Sequence, residues 1–149
     1  MKRTRPILYA TDFSKASRPA FRFALWLVKE TGAPLVIIHV FVPPILGEGE
    51  VFPRIYEDIL AQMRSEATRK LTRLLQDAKK ARVPATAFLG RGVPHVEIAR
   101  AARARRAKLI VIGTHGRTGL PRLLLGSIAS RVIGTARCPV LTVPSRFSL

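Results

Sequence analysis

The sequence predicts an α/β fold in which helices cover both faces of a parallel sheet, and three observations lead to it. Short apolar runs alternate with longer amphipathic segments along the chain. The apolar runs are nearly continuous, which is typical of strands buried on both faces of a parallel sheet. The chain has 149 residues, the size of one domain. We therefore expect a single-domain three-layer sandwich over residues 1–149, with its core at about 5–144.

The first half of the chain predicts two strands and two helices in alternation. The run Ile7–Ala10 predicts a buried strand that ends in a polar loop. A helix follows, which Ser17 can cap and which Gly32 ends. The β-branched run Leu35–Val42 predicts the second strand. From Tyr56 to Ala81 apolar residues recur at three- or four-residue steps, which predicts the longest helix.

The second half predicts five more elements, in the order strand, helix, strand, helix, strand: Pro84–Leu89, Val93–Ala107, Leu109–Ile112, Ser127–Thr135 and Val140–Val143. A turn is predicted at Gly90–Gly92, and Val96 and Ile98 are predicted to face inward from their helix. Ligands of such folds bind beyond the carboxyl ends of the strands. The polar positions that follow strands one and four, Asp12 and the region of Gly113, are therefore the candidate site.

The charge of the chain is strongly positive. Lys and Arg number 26 against 9 Asp and Glu, a formal net charge of +17. Such a charge attracts nucleotides, nucleic acid and anionic membranes without choosing among them. Arg100, Arg103 and Arg106 fall at three-residue steps and predict one stripe on the third helix. This stripe is either a solvated helix face or a polyanion-binding surface with nucleic acid as its partner.

Several classes of protein are disfavoured by the sequence. The single Cys138 excludes an intramolecular disulfide framework and a cysteine-rich zinc site, and we expect it to be a buried apolar residue. No signal peptide is recognisable, and no apolar run approaches the roughly 20 residues that span a bilayer. The sequence therefore predicts a soluble, cytoplasmic protein without a membrane partner. His39 is expected to be a hydrogen-bonded core histidine rather than a catalytic base, and neither a catalytic residue nor a dedicated metal site is predicted.

A glycine-rich segment between the fourth strand and the fourth helix has the spacing G-x2-G-x9-G-S, formed by Gly113, Gly116, Gly126 and Ser127. Glycines permit close backbone approach and positive φ, so several N–H groups can point at one phosphate. The helix start adds free N–H groups and a hydroxyl. Arg117 and Arg122 add cationic donors, and His115 can approach a phosphate. The alternative is a plain loop with turn glycines, since the spacing is neither a Walker A loop nor G-x-G-x-x-G.

From Ile7 to Val143 the chain resembles the universal stress protein family, and specifically its ATP-binding branch. The resemblance is carried by ILYATDFS, VIIHV, VIGTHGRTGLPRLLLGSIASRVI and CPVLTVP, and the glycine spacing is that of the ATP-binding branch. It implies a five-stranded parallel sheet in the order 3-2-1-4-5. It also implies ATP as ligand, with Mg²⁺ or Mn²⁺, and a homodimer joined through Val140–Val143.

The resemblance also implies the residues of the nucleotide site: Ala10, Thr11, Asp12, Val40, Gly113, His115, Gly116, Arg117, Gly126, Ser127 and Ile128. Asp12 would meet the nucleoside or, through Mg²⁺, the phosphates, although an aspartate after a strand is also a common turn residue. Val40 would hold the adenine with its backbone. The two glycines after strand four would line the ribose and phosphates, and the segment 126–128 would cradle the phosphates.

The function that this resemblance implies is that of a nucleotide-dependent stress-response regulator with slow hydrolysis or none. An alternative from another class is a basic protein that binds nucleic acid or an anionic partner, for which nucleotide is secondary. A third possibility is an enzyme of the wider adenine-nucleotide hydrolase-like group. That enzyme needs a second substrate site, which the sequence does not reveal.

Overall fold

A parallel sheet forms the middle layer of the computed structural model, which describes residues 4–46, 52–116 and 124–149. Its five strands are β1 (Ile7–Ala10), β2 (Leu35–Phe41), β3 (Ala85–Arg91), β4 (Leu109–Gly113) and β5 (Val140–Val143). Their order across the sheet is β3-β2-β1-β4-β5, and every neighbouring pair is parallel. The fold class predicted from the sequence and the strand order implied by the resemblance are both confirmed.

Four helices cover the two faces of the sheet: α1 (Arg18–Thr31), α2 (Pro53–Lys80), α3 (Pro94–Ala104) and α4 (Ser127–Thr135). Successive residues of a strand point to opposite faces, so β1 contributes to two separate cores. Tyr9 packs in the core beneath α1 and α2. Leu8 packs in the core beneath α3 and α4. Each apolar side chain buried in this way contributes about 1.5–3 kcal/mol to stability.

Three predicted element boundaries differ from the structure by two residues or more. The long helix α2 begins at Pro53, three residues before the predicted start at Tyr56. The third helix ends at Ala104, because Arg106 adopts a positive φ of 52° and the Ala107 N–H bonds back to the Ala102 carbonyl. The predicted stripe of three arginines on one helix therefore does not form. The third strand runs on to Arg91 and pairs there with β2, so the predicted turn is reduced to Gly92 and its φ of 128°.

Smaller corrections concern side chains. Ser17 does not cap α1 with its side chain; its hydroxyl donates to the Ser14 carbonyl at 2.9 Å. Val96 is exposed rather than inward-facing, whereas Ile98 is buried as predicted. Arg100 pairs with Glu97 at 2.9 Å, three residues earlier on α3. No helix within residues 4–46, 52–116 and 124–149 combines the length and the apolarity that a membrane span requires.

Candidate functional site

A cleft opens at the carboxyl ends of β1 and β4. The segments that follow these two strands leave the sheet toward opposite faces. After β1 the chain enters α1 on one face, and after β4 it reaches α4 on the other. This divergence is the topological switch point at which open α/β sheets bind their ligands. It encloses a cavity of about 370 Å³.

The structure brings together ten of the eleven residues predicted for the site, all of which line this cavity: Ala10, Thr11, Asp12, Val40, Gly113, His115, Gly116, Gly126, Ser127 and Ile128. The eleventh, Arg117, lies outside the described residues, as does Arg122. Sequence analysis missed the apolar part of the lining, formed by Val42, Met63, Pro94 and Ile98. Met63 and Ile98 fit the apolar periodicity of their helices, so no local signal indicates that they also border a cavity.

The loop between β1 and α1 is held by short polar side chains. The Asp12 Oδ1 atom accepts the Ser14 N–H at 2.9 Å, and the Thr11 hydroxyl accepts the Phe13 N–H at 3.0 Å. The Thr11 and Ser17 hydroxyls lie 3.2 Å apart. Tyr9 donates its hydroxyl to the Ser17 carbonyl at 3.0 Å, and burial raises the pKa of this phenol, which keeps it a donor. These bonds fix the direction of the loop at the edge of the cavity.

His39 stands beside this loop in the role expected from the sequence. Its Nδ1 atom donates to the Thr11 carbonyl at 2.8 Å, because a carbonyl oxygen can only accept. The Phe13 ring lies 4.2 Å from the imidazole, centroid to centroid. The histidine is half-buried and also lines the cavity, which the sequence did not predict.

The backbone of Val40 faces the cleft. Thr11 donates its N–H to the Ile38 carbonyl at 3.0 Å, and Gly92 donates to the Phe41 carbonyl at 3.1 Å. The direction of backbone hydrogen bonding alternates along a strand. The backbone N–H and carbonyl groups of even-numbered residues of β2 therefore point toward β1, and those of odd-numbered residues point toward β3. Val40 lies beyond the end of β1, so no described backbone group pairs with its N–H and carbonyl. These two groups form an open donor–acceptor edge.

Two glycines of the segment are required by close packing. A Cβ atom on Gly116 would lie 2.7 Å from the Asp12 Oδ2 atom. A Cβ atom on Gly126 would lie 2.8 Å from the Thr114 carbonyl oxygen. The expected close approach is thus present. The described glycines of the segment do not use the positive φ that glycine permits; among the described glycines, Gly32 and Gly92 adopt it.

The first turn of α4 presents backbone donors to the cavity. Gly126 donates its own N–H to the Thr114 carbonyl at 2.7 Å, so this N–H is not available to a ligand. The N–H groups of Ser127, Ile128 and Ala129 have no acceptor among the described residues, as expected for the start of a helix. Ala129 thus joins the cavity as a donor that the sequence analysis did not include.

The charged and titratable groups around the cavity are few. The described lining contains the carboxylate of Asp12 and no Lys or Arg. The His115 Nδ1 atom lies 2.9 Å from the Thr114 hydroxyl, and its Nε2 atom is buried without a hydrogen-bond partner among the described residues. Within those residues, no group of three or more His, Cys, Asp or Glu side chains is placed to hold a metal ion.

Comparison with known proteins identifies similar chains over nearly the full length. A profile described as the universal stress protein family matches residues 3–144. The universal stress protein MJ0531 of Methanocaldococcus jannaschii is 38% identical, over 93% of this chain and 81% of that protein. The solved structure of MJ0577, from the same organism, has a TM-score of 0.83 at 26% identity and covers 98% of this chain and 99% of its own. The universal stress protein of Archaeoglobus fulgidus, solved in complex with dAMP, has a TM-score of 0.66 at 26% identity and covers 94% and 98%.

Proposed function

Because this chain belongs to the universal stress protein family, we propose that its cleft binds ATP together with Mg²⁺ and that the protein acts as a nucleotide-dependent stress-response regulator. One observation carries the proposal: the open backbone edge of Val40 and the open N–H groups of α4 border the same cavity. The dAMP complex of the Archaeoglobus fulgidus relative supports an adenine nucleotide as the ligand.

The adenine ring would bind at Val40. The Watson–Crick edge of adenine carries an amino donor beside a ring-nitrogen acceptor, which complements a backbone carbonyl beside an N–H. Val42, Met63 and Ile98 add apolar surface to the same cavity. An apolar wall with a few fixed polar groups is typical of sites for small organic ligands.

The phosphates would bind at the other side of the cavity, against the first turn of α4. The N–H groups of Ser127, Ile128 and Ala129 and the positive end of the helix dipole favour an anion there. The hydroxyl of Ser127 adds one donor. Asp12 would repel a phosphate directly, so we assign it to Mg²⁺, which takes one or two carboxylates together with phosphate oxygens and water. Mn²⁺ would occupy the same position.

Hydrolysis in this cleft is proposed to be slow at most. Phosphoryl transfer needs a group that positions the attacking water as well as the metal ion. Asp12 is the carboxylate in the described lining, and its Oδ1 atom already accepts the Ser14 N–H. A carboxylate held in this way is better suited to binding the metal ion than to moving a proton.

GTP is expected to bind at least about thirtyfold more weakly than ATP. At the Val40 edge, guanine would set a ring N–H against the backbone N–H and an oxygen against the carbonyl. Each of these two mismatches between guanine and the backbone lowers the binding free energy by about 1–3 kcal/mol. Calorimetric titration with ATP and with GTP, both in excess Mg²⁺, measures the difference. Affinities within threefold of each other would contradict adenine recognition by this edge.

We propose further that the protein is a homodimer through β5, which lies at the edge of the sheet. Thr114 donates its N–H to the Val143 carbonyl at 3.0 Å. The backbone N–H and carbonyl groups of odd-numbered residues of β5 therefore point toward β4. The backbone groups of Val140 and Thr142 therefore point outward, where no described residue pairs with them. Pairing with a second copy about a two-fold axis would satisfy both edges.

Thr142→Pro is expected to convert the dimer to a folded monomer of 16.5 kDa, because proline removes an outward N–H and leaves the bonds to β4 intact. Leu141→Pro is the contrasting variant. The backbone N–H of Leu141 points toward β4, so its loss removes a hydrogen bond within the sheet of one protomer and destabilises the fold. Light scattering in moderate salt measures both. Moderate salt is needed because a chain of charge +17 repels its own copy. A monomeric unmodified protein would refute the proposed interface.

A further inference from the structure

The end of the sheet opposite the cleft is strongly basic. The strands begin there, and α1, α2 and α3 end there. Ten described basic residues lie at this end: Arg5, Lys29, Lys79, Lys80, Arg82, Arg103, Arg105, Arg106, Lys108 and Arg137. We call this set the amino-end surface. The described acids at the same end are Glu30 and Asp77, and Asp77 already pairs with Lys80 at 3.7 Å.

A second cavity, of about 420 Å³, lies within the amino-end surface. Its described lining contains four arginines and no acidic or aromatic residue: Arg5, Ala102, Arg103, Arg106, Ala107, Arg137 and Cys138. Arg5 donates from Nε to the Arg106 carbonyl at 3.0 Å, which ties the start of β1 to the turn before β4. Arg103, Arg106 and Arg137 form no ion pair with any described residue, so their charges are available to a ligand.

Two arginines of this surface occupy backbone positions that suit glycine better. Arg82 has a φ of 58° and Arg106 a φ of 52°, each just after the end of a helix. Glycine is the usual residue at such positions because it adopts positive φ without strain. An arginine there gains no backbone stability over glycine, and its side chain adds one positive charge to the surface.

We propose that the amino-end surface binds the phosphate backbone of duplex nucleic acid. Basic residues precede β1, β3, β4 and β5. Five neighbouring strands at about 4.8 Å spacing cover about 19 Å, more than one small anion occupies and enough for several phosphates of a polymer. The binding is independent of sequence, because phosphate contacts carry no base information.

A duplex fits this surface better than a single strand does. Proteins that hold single strands stack the bases on exposed aromatic rings. The cavity has no aromatic residue among its described lining residues, and the guanidinium of Arg105 already lies 4.2 Å from the centroid of the Phe88 ring. The adenine edges of a duplex are also paired, so the duplex does not enter the nucleotide cleft.

The test compares two double variants that each remove two positive charges. Arg82→Gly with Arg106→Gly removes two side chains of the surface and relieves the backbone at both positions. Arg22→Gln with Arg64→Gln removes two exposed charges from the bodies of α1 and α2. Fluorescence anisotropy with a labelled 20-base-pair DNA duplex, between about 50 and 200 mM salt, gives affinity and salt dependence.

The glycine variant is expected to lower the slope of log affinity against log salt by about 1.8, which corresponds to a roughly 60-fold weaker affinity at 0.1 M salt. Its thermal stability should be equal or higher. The glutamine variant should stay near the unmodified protein. Equal weakening in both variants would show generic attraction to a basic chain and would overturn the proposal.

Cys138 supplies a readout confined to the second cavity, because it is the one cysteine of the chain. Burial raises the pKa of its thiol, so alkylation is followed at mildly alkaline pH. Saturating duplex is expected to slow alkylation of Cys138 in the unmodified protein. Binding of the duplex with no change in that rate would locate the contact elsewhere and contradict the proposed surface.

Discussion

Valine in place of Gly126 is expected to abolish ATP binding. A Cβ atom at this position would lie 2.8 Å from the Thr114 carbonyl oxygen, to which the Gly126 N–H donates at 2.7 Å. The backbone must therefore shift, and the first turn of α4 moves with it. Losing two hydrogen bonds to phosphate at about 1.5–3 kcal/mol each weakens binding at least about a hundredfold, as calorimetric titration would measure.

The matched control is Gly134→Val, on the same helix. A Cβ atom on Gly134 meets nothing within 4 Å, so ATP affinity should not change. Because the Gly126 contact is with backbone, we also expect the Gly126 variant to be less stable, and circular dichroism must show that it is folded. A folded Gly126→Val protein that binds ATP normally would refute the assignment of the phosphates to this helix.

Proline in place of Ser127 is expected to weaken ATP binding at least about a hundredfold while leaving the fold intact. Proline is well tolerated in the first turn of a helix, where its missing N–H has no partner within the helix. Gly126 already has φ −58° and ψ 150°, which suits a residue before proline. The change therefore removes one N–H and one hydroxyl from the cavity, at about 1.5–3 kcal/mol each, without disturbing α4.

Ser127→Ala separates the two donors of this residue, because alanine keeps the N–H and loses the hydroxyl. Its ATP affinity should fall between those of the unmodified protein and Ser127→Pro. Thermal unfolding of all three proteins should give closely similar midpoints. An unchanged affinity in Ser127→Pro, with the midpoint preserved, would mean that the phosphates do not contact the start of α4.

Most strands and helices of the fold follow closely from local sequence, whereas three boundaries do not. Ile7–Ala10, Val140–Val143 and Ser127–Thr135 have the bounds that the sequence predicts, because each is set off by polar, glycine or proline residues. The end of α3 carries no such signal. Its sequence continues in Ala and Arg, which favour helix, and the helix stops where Arg106 adopts positive φ. Such a stop depends on how the turn packs onto the sheet.

The composition of the cleft was predictable in part. Its glycine segment has a recognisable spacing, Asp12 follows the first predicted strand, and the resemblance supplied Val40. The reason that Val40 has an open backbone edge needs the register of β2 against β1. The contact that excludes a side chain at Gly116 needs the position of Asp12 on another strand end. Met63 reaches the cavity through tertiary packing of a helix, which no local pattern encodes.

The most direct test of the nucleotide cleft is a titration of the isotope-labelled protein with ATP and Mg²⁺, followed by the NMR signals of the backbone amides. The amides of Val40, Ser127 and Ile128 are expected to shift together, with one saturation curve. Val40 and the start of α4 border the same cavity from different elements, so a single ligand must affect both. Unchanged signals at these amides, or shifts confined to Arg103 and Arg137 at the opposite end of the sheet, would contradict ATP binding in the cleft.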